Sequence, residues 1–336
     1  MKTYKIALMR GDGIGPEQTE ATLKVLSALE SESGFKLEFI EAEGGDETLK
    51  RRGEALPQDT IEAIRGADAC LKGPVGESAA DVIVKLRILF DLYANLRPIK
   101  SYPNIQSLRP DIDMLFVREN TEDLYKGYEF RVGEDTVAMR VITKKGCTRI
   151  AEMAMKHALR RRKKVTAVHK ANVLRVTDGL FRDTCRTIAS KYPEITLEEL
   201  YVDAASMHLI KRPHEFDVIV ITNMFGDILS DEAAQTCGGL GIAAGANIGD
   251  RYGLFEPIHG SVPSKAGMNV ANPTSMILAA RLMLDWLGEA DSARRIEHAV
   301  VKTLSERKVL TYDLGGSAKT SEMANEIAKN LGEQDR

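Results

Sequence analysis

Apolar and polar positions alternate along this chain in two periods, one of two residues and one of three to four. Lys5-Ile-Ala-Leu-Met9 reads as a strand feeding Gly11-Asp-Gly-Ile-Gly-Pro16. An amphipathic helix begins near Glu17, with Pro16 in the first turn, where its missing N–H costs nothing. Residues 37–40 read as a strand, Asp59 to Arg65 as a helix, and Ala69 to Lys72 as a strand running into a turn at Gly73-Pro74. The pattern predicts a helix from about Ser78 to Tyr93 with Ser78 as its N-cap, and a strand over Asp113 to Val117. Residues 128–143 alternate as a hairpin or arm would. A further strand is expected over Val165 to Val168, and Phe216-Asp-Val-Ile-Val-Ile-Thr222 has the pattern of a buried strand. Helices are expected from Pro273 to Gly288 and from Ser321 to Leu331. Alternation of this kind places the chain in the α/β class. No repeat, low-complexity tract or long linker divides it, so a second domain has to arise from the chain crossing over and returning.

Composition narrows the function classes. At 336 residues the chain has ample core for two domains or one large one. A net charge of −3 gives no global field for nucleic acid. The one basic run, Arg160 to Lys164, follows an amphipathic helix, whose dipole favours cations at its C-terminus. Cys70, Cys147, Cys185 and Cys237 are scattered without metal-ligand spacing, which fits a reducing compartment and argues against zinc or disulfides. No apolar run approaches the ~20 residues a bilayer span needs, and Met1 leads almost directly into the first strand, without a signal peptide. The expectation is a soluble cytoplasmic protein without nucleic-acid or membrane partners.

Asn223-Met-Phe-Gly-Asp-Ile-Leu-Ser-Asp231 sets Asp227 and Asp231 four positions apart at a helix start, so the two carboxylates share one face. Like charges held that close repel unless a cation or a proton intervenes, and Mg²⁺ takes one or two carboxylates together with substrate oxygens. An isolated Asp-x-x-x-Asp is usually a solvated helix face. Here the apolar lead-in puts the pair just past a strand's carboxyl end, where ligands bind in open α/β sheets, and we read it as a metal site. Arg87, Arg97 and Arg118 each lie in apolar sequence. Their planar forks suit a substrate with at least two carboxylates, the alternative being ordinary salt bridging. Lys170 follows a strand and could transfer a proton, Asp203 adds a carboxylate, and Tyr125 is a candidate proton donor. Singly, such residues are more often surface or packing. Gly11-x-Gly13-x-Gly15 lacks the spacing of a dinucleotide fingerprint, so a Rossmann fold is not supported. Gly253 to Gly260 together with Ala271-Asn-Pro273 has the composition of a nucleotide loop without its spacing.

Taken together, GDGIGPE (11–17), YANLRP (93–98), VRENTEDLY (117–125), HKANVL (169–174), VDAAS (202–206), NMFGDILSD (223–231), GLFEPIHGS (253–261) and ANPT (271–274) resemble the β-decarboxylating dehydrogenases of isocitrate, 3-isopropylmalate and homoisocitrate. The motifs stand in the family's order over nearly the whole chain. The resemblance implies a two-domain fold unlike the Rossmann fold. Residues 1–92 with 238–336 would form a discontinuous large cofactor-binding domain, and 93–237 a small domain with the dimer interface, the arm and the metal ligands. It further implies a homodimer, or a tetramer built from it, whose sites are shared between subunits. Arg87, Arg97 and Arg118 would clamp the substrate, and Asp227 and Asp231 would bind Mg²⁺ or Mn²⁺. Lys170 and Asp203 would come from the partner, Asp203 completing the metal shell. Lys170 would assist removal of the hydroxyl proton as hydride leaves, and Tyr125 would protonate the enol after decarboxylation. Glu256, His259, Gly260, Ser261, Ser264, Lys265, Asn272 and Tyr312 would bind the nicotinamide cofactor.

Substrate choice is expected on the helix before Arg87. Isocitrate enzymes place a serine and an asparagine where this chain has Asp81 and Ile83. Ile83 and Val84 offer an apolar wall for an isopropyl group, and Asp81 would repel a third carboxylate. GESAADVIVKLR looks like archaeal isopropylmalate enzymes, some of which also take methylmalate, although Ala80 replaces a glutamate usual in bacterial ones. ENTEDLY and HKAN look more like isocitrate and homoisocitrate enzymes, which are the runner-up. A non-catalytic subunit is the remaining alternative, and the intact metal and clamp residues speak against it. Ser264-Lys265 stands where NAD-dependent members carry Asp-Ile, and Tyr312 matches a tyrosine near the 2′-phosphate, so NADP is favoured with NAD open.

Overall fold

The computed structural model describes residues 2–332. Its strands are β1 (Lys2–Met9), β2 (Phe35–Glu41), β3 (Ala69–Lys72), β4 (Ala94–Lys100), β5 (Asp113–Glu119), β6 (Glu129–Val132), β7 (Asp135–Ala138), β8 (Lys164–His169), β9 (Thr196–Tyr201), β10 (Val218–Ile221), β11 (Ala244–Ile248) and β12 (Gly253–Pro257). The helices are α1 (Gly15–Glu30), α2 (Asp46–Arg52), α3 (Gln58–Arg65), α4 (Asp81–Leu89), α5 (Lys144–Leu159), α6 (Thr177–Ala189), α7 (Val202–Lys211), α8 (Asn223–Gln235), α9 (Thr274–Trp286), α10 (Ala290–Glu306) and α11 (Thr320–Asn330). None is long and apolar enough to cross a membrane.

A ten-stranded sheet in the order β2-β1-β3-β12-β11-β4-β5-β10-β8-β9 forms the spine, and β6 pairs with β7 as a separate hairpin. Within the ten-stranded sheet pairing is parallel in each wing and antiparallel at β12–β11, β11–β4 and β4–β5. The two parallel wings therefore run in opposite directions, which separates this mixed α/β fold from a Rossmann layout. Helices cover both faces of each wing. Val218, Ile219, Val220 and Ile221 are all buried, as expected of a parallel strand enclosed on both sides. In α5, Cys147, Ile150, Ala151, Ala154, Met155 and Ala158 form the buried stripe, and the Thr143 hydroxyl caps the helix by accepting from Gly146 N at 3.0 Å.

Pleat alternation decides what lies where at the junction between the wings. Ala246 faces Leu96 and Asn247 faces Asn95, while Asn95 also pairs with Arg118. One face of β4 and β11 thus carries Asn95, Arg97 and Asn247. The other carries Leu96, Pro98, Ala246 and Ile248, which floor a cleft of about 620 Å³ bounded by residues of α5 and α9.

Several sequence expectations are corrected. Ser78 does not cap a long helix: residues 77–79 form a short 3₁₀ turn, α4 starts only at Asp81, and Ala80 precedes it without a side-chain cap. Residues 253–257 are not loop but buried strand β12, because Leu254 and Phe255 pack into the cores on either side of the sheet. Arg161 and Arg162 do not serve the C-terminus of α5. They reach the buried carboxylate of Asp217, and Arg162 donates to the carbonyl oxygens of His214 and Phe216.

Candidate active site

Strands β5, β10, β8 and β9 are parallel neighbours, so the residues after them meet along one edge of the sheet. Helix α8 leaves β10 there and brings Asp227 and Asp231 towards β4 and β5. Arg97 Nη1 donates to Asp231 Oδ1 and Ser230 Oγ, both at 2.8 Å, its Nη2 to Asp227 Oδ1 at 3.1 Å, and its Nε to Asn95 Oδ1 at 2.7 Å. Arg118 is 1% exposed. Its Nε donates to the Asn223 carbonyl at 2.9 Å, its Nη2 to Asn223 Oδ1 at 2.7 Å, and its Nη1 forms a short contact with Asp227 Oδ1. Arg87 enters from α4, with Nε on Asn247 Oδ1 at 2.9 Å and Nη2 3.5 Å from Glu256 Oε1.

These three guanidiniums feel one another. Burial, then the charges of Arg97 and Arg87, depresses the Arg118 pKa to about 9. Burial alone would raise the Asp227 carboxyl, but Arg118 and Arg97 overcome it and hold the pKa below the usual range. At Asp231 burial prevails and the pKa rises. Tyr125 Oη donates to Asp227 Oδ2 at 2.5 Å, and the Arg118 guanidinium lies 5.3 Å from its ring centre. Burial raises the phenol's pKa despite Arg118, keeping its proton in place at neutral pH. The structure thus unites Arg87, Arg97, Arg118, Tyr125, Asp227 and Asp231.

Lys170 and Asp203 form a separate pair. Lys170 Nζ donates to Asp203 Oδ1 at 2.5 Å, and the side chains are 25% and 67% exposed, at the rim where β9 ends the sheet. Lys170 holds the Asp203 carboxyl below its ordinary pKa by this hydrogen bond. The backbone N–H of Lys170 is anchored by Asp178 Oδ2 at 2.6 Å. Asp227 and Asp231 are hard oxygen donors one turn apart, with side chains 37% and 47% exposed, and they suit a Mg²⁺ or Mn²⁺ ion that takes its remaining ligands elsewhere. Among the described residues no group of three metal-type ligands forms within the chain.

The remaining expected residues spread over two neighbourhoods. Glu256 lies buried behind Arg87, accepting from Lys72 Nζ and Asn247 Nδ2, both at 2.9 Å. Ile83 and Val84 are half-buried on α4, while Asp81 and Lys85 form an exposed ion pair one turn apart. Lys85 partly offsets the Asp81 charge expected to repel a third carboxylate. At the carboxyl ends of β1, β3 and β12, His259 Nε2 lies 3.0 Å from Gln18 Nε2, and Asn272 Nδ2 donates to Asp313 Oδ2 at 2.9 Å. Lys265 Nζ sits 5.3 Å from the Tyr312 ring centre, and Ser264 is its neighbour in the same 3₁₀ turn. Gly260 has no heavy atom within 4 Å of where a Cβ would stand. A Cβ on Gly13 (φ +58°) would lie 1.9 Å from the Ser261 carbonyl oxygen, so the glycine start packs directly on the 259–262 loop.

Sequence reasoning missed Lys72, Asn95, Asn120, Asn223 and Asn247, which surround the arginines. For Lys72 and Asn247 the signal was a lysine or an amide inside an otherwise apolar strand, Ala-Cys-Leu-Lys (69–72) and Ala-Gly-Ala-Asn-Ile (244–248). A buried polar group of this kind needs partners.

Comparison with known proteins identifies the relatives of this chain. The isocitrate/isopropylmalate dehydrogenase family profile matches residues 5–327. The chain is 55% identical to the 3-isopropylmalate dehydrogenase of Methanothermobacter thermautotrophicus, covering 98% of this chain and 99% of that protein. It is 52% identical to the 3-isopropylmalate/3-methylmalate dehydrogenase of Methanocaldococcus jannaschii, over 98% of this chain and 100% of the relative. The crystal structure of isocitrate dehydrogenase from Methylococcus capsulatus superposes with a TM-score of 0.93 at 42% identity, covering 98% of this chain and 100% of that one. A family match over nearly the whole length, relatives more than half identical and a shared fold lead to one conclusion: the chain belongs to the isocitrate/isopropylmalate dehydrogenase family.

Proposed function

We propose that this protein oxidatively decarboxylates 3-isopropylmalate to 2-oxo-4-methylpentanoate and CO₂, with reduction of a nicotinamide cofactor. The observation that carries the reading is the convergence of Arg87, Arg97 and Arg118 on an Asp227–Asp231 pair, next to a helix whose half-buried turn is Ile83–Val84. The arginines bind and orient the two carboxylates of the malate moiety. Ile83 and Val84 receive the isopropyl group. Lys170, supplied by the other subunit and set against Asp203, assists removal of the proton of the C2 hydroxyl. Tyr125, its phenol kept protonated by burial, delivers a proton to the carbon from which CO₂ has left. A divalent cation at the aspartates, with Asp203 of the facing subunit as a further ligand, would supply Lewis acidity, and a bound nicotinamide would supply the hydride acceptor.

A homodimer is supported by the separation of Lys170–Asp203 from the Asp227 centre and by exposed apolar side chains on neighbouring α7 and α8: Met207, Ile210, Met224 and Ile228. The β6–β7 hairpin adds exposed Phe130, Val132 and Val137 to the same reading. The reversal of strand direction at β4–β11 supports a boundary between residues 1–92 with 238–336 and residues 93–237. Glu256, His259, Gly260, Ser261, Ser264, Lys265, Asn272 and Tyr312 are assigned to the cofactor, with Lys265 beside Tyr312 favouring NADP over NAD. Four buried free thiols suit the reducing cytoplasm.

Isocitrate is the second reading. The Asp81–Lys85 pair is the observation in its favour, because Lys85 lessens the repulsion that Asp81 would exert on a third carboxylate. The deciding experiment follows reduced-cofactor formation with Mg²⁺ on 3-isopropylmalate and on isocitrate, each with NAD and NADP. Turnover of isopropylmalate is the expected result; turnover of isocitrate alone overturns the substrate assignment.

A further inference from the structure

Behind the two proton-handling residues lies a charged group with no part in the reaction proposed above. Asp123 and Asp178 are both completely buried, at 0% exposure, and Arg140 lies between them. Arg140 Nε and Nη2 donate to the two oxygens of Asp123 at 2.6 and 3.1 Å, Nη1 makes a short contact with Asp178 Oδ1, and Nη2 also reaches Thr222 Oγ1 at 2.8 Å. Its guanidinium lies 4.8 Å from the Phe225 ring centre. Each aspartate in turn holds backbone. Asp123 accepts from Leu124 N at 2.9 Å, one residue before Tyr125, and from Met224 N at 3.2 Å, at the start of the helix carrying Asp227. Asp123 has φ of +69°, a conformation that the fold must enforce in a residue with a side chain. Asp178 accepts from Lys170 N itself at 2.6 Å.

We propose that Arg140 is a positioning residue that locks the Tyr125 turn, the start of α8 and the Lys170 backbone into one unit. The inference rests on the shared-site reading given above. In a dimer of that kind, Tyr125 and Asp227 serve one active site and Lys170 serves the other, so the Asp123–Arg140–Asp178 group is a rigid link between the two sites. Burial makes the link stiff: neither carboxylate can be solvated, so neither can release the arginine without leaving an unpaired charge in the interior. A planar fork can hold two carboxylates in fixed mutual geometry, which an ammonium cannot. Arg140 also lies two residues beyond β7, at the base of the exposed hairpin, so docking of that hairpin on a second subunit is transmitted to both proton-handling residues.

Subunit hybrids test the link in the full-length enzyme with Mg²⁺. A dimer of one Lys170→Ala chain and one Asp227→Asn chain retains a single intact site, made of Tyr125 and Asp227 from the first chain and Lys170 from the second. Activity regained from two inactive parents supports the shared-site reading; a dead hybrid overturns that reading and the link with it. Arg140→Lys is then introduced into either chain of the hybrid. Both placements are expected to lower kcat by about tenfold or more, as small misplacements of catalytic groups do, with KM changed less than about twofold. A substrate deuterated at C2 separates positioning from general loosening. With Arg140→Lys on the chain donating Lys170, the proton and hydride step slows and the isotope effect on kcat grows. On the chain donating Tyr125, the later protonation limits and the isotope effect falls towards unity. An effect from one placement only, or the same isotope effect from both, overturns the proposal while leaving the shared site standing. Should Arg140→Lys fail to fold, Asp178→Asn keeps the Asp123 half and is expected to reproduce only the Lys170-side change; a change on the Tyr125 side instead overturns the assignment.

Discussion

The Arg118–Asp227 centre and the Lys170–Asp203 pair are both cation–carboxylate contacts at the same edge of one sheet, yet they are built for opposite ends. Arg118 is buried, with Nε, Nη1 and Nη2 each held by Asn223 or Asp227, and it is inseparable from the packing of α8 on β5. Lys170 and Asp203 hold each other at the solvent-facing rim. A buried pair costs desolvation and is stable only when every lone pair and proton is matched, whereas an exposed pair contributes little to folding and is free to exchange partners. The first geometry suits a binding clamp that must be present before substrate arrives. The second suits groups whose final partners lie on another chain.

Substitutions at the two lysine and arginine positions sharpen that contrast. Arg118→Met leaves Asp227 and the Asn223 carbonyl facing an apolar side chain, and the expected loss of stability is about 3–5 kcal/mol in urea unfolding, together with loss of turnover. Lys170→Met is expected to leave stability within about 1 kcal/mol of the parent, because an exposed ion pair contributes no more than that, while lowering kcat by about 10²–10⁴-fold. Equal destabilisation by both changes would mean that the rim pair is structural. Full activity in Lys170→Met would remove it from the chemistry.

The same contrast explains how much could be read from the sequence. The α/β class and most helices follow from periodicity, and α5 and β10 lie where their apolar spacing puts them. Asp227 and Asp231 were legible because two carboxylates one turn apart after an apolar strand form a local pattern. Strands β4 and β11 were not legible as strands, although they carry Asn95, Arg97 and Asn247 at the heart of the site. Their polar inward positions break the alternation on which strand reading depends, and the partners that satisfy those groups lie more than a hundred residues away, as in the contact of Asn95 with Asn247. Helix α10 also escaped notice, its charged face in Ala-Asp-Ser-Ala-Arg-Arg (290–295) obscuring the stripe of Ile296, Ala299, Val300 and Leu304 that it buries. Local spacing reports which face a residue takes, whereas a charge network closed across the sheet is visible only in three dimensions.

Glu256 belongs to the buried side of the comparison and gives it a pH axis. Burial would raise its pKa, but Lys72 and Arg87 outweigh this and hold it down to about 2, from an ordinary 4.5. A depressed folded-state value means that the ionised form stabilises the fold above about pH 4.5, and the contribution is lost as pH falls through the folded value near 2. At about 1.4 kcal/mol per unit, the difference between 4.5 and about 2 corresponds to about 3.5 kcal/mol. Glu256→Gln keeps an acceptor for Asn247 and deprives Lys72 of its counter-charge, so its stability deficit is expected to be flat from pH 7 to 5 and to shrink below pH 4.5. A deficit independent of pH down to 3 would show that Glu256 acts through shape, not charge.

The smallest expected effect on stability lies at Lys265, where, on the coenzyme assignment proposed above, charge would act on the cofactor and not on the fold. Lys265 is a half-buried cation in a short 3₁₀ turn, with its ammonium against the face of exposed Tyr312. A cation–π contact of this exposed kind contributes only about 0.5–1 kcal/mol, so removing it leaves the fold intact. What changes is the charge presented to a ribose. On the coenzyme assignment proposed above, a carboxylate in this turn would accept hydrogen bonds from the two hydroxyls of NAD and repel a 2′-phosphate, whereas the ammonium would attract the phosphate. Lys265→Asp is therefore expected to shift the NADP/NAD ratio of kcat/KM by at least about tenfold towards NAD, while Tm moves by no more than a few degrees. An unchanged ratio would detach Lys265 from coenzyme choice and leave the selection to groups on the facing glycine loop.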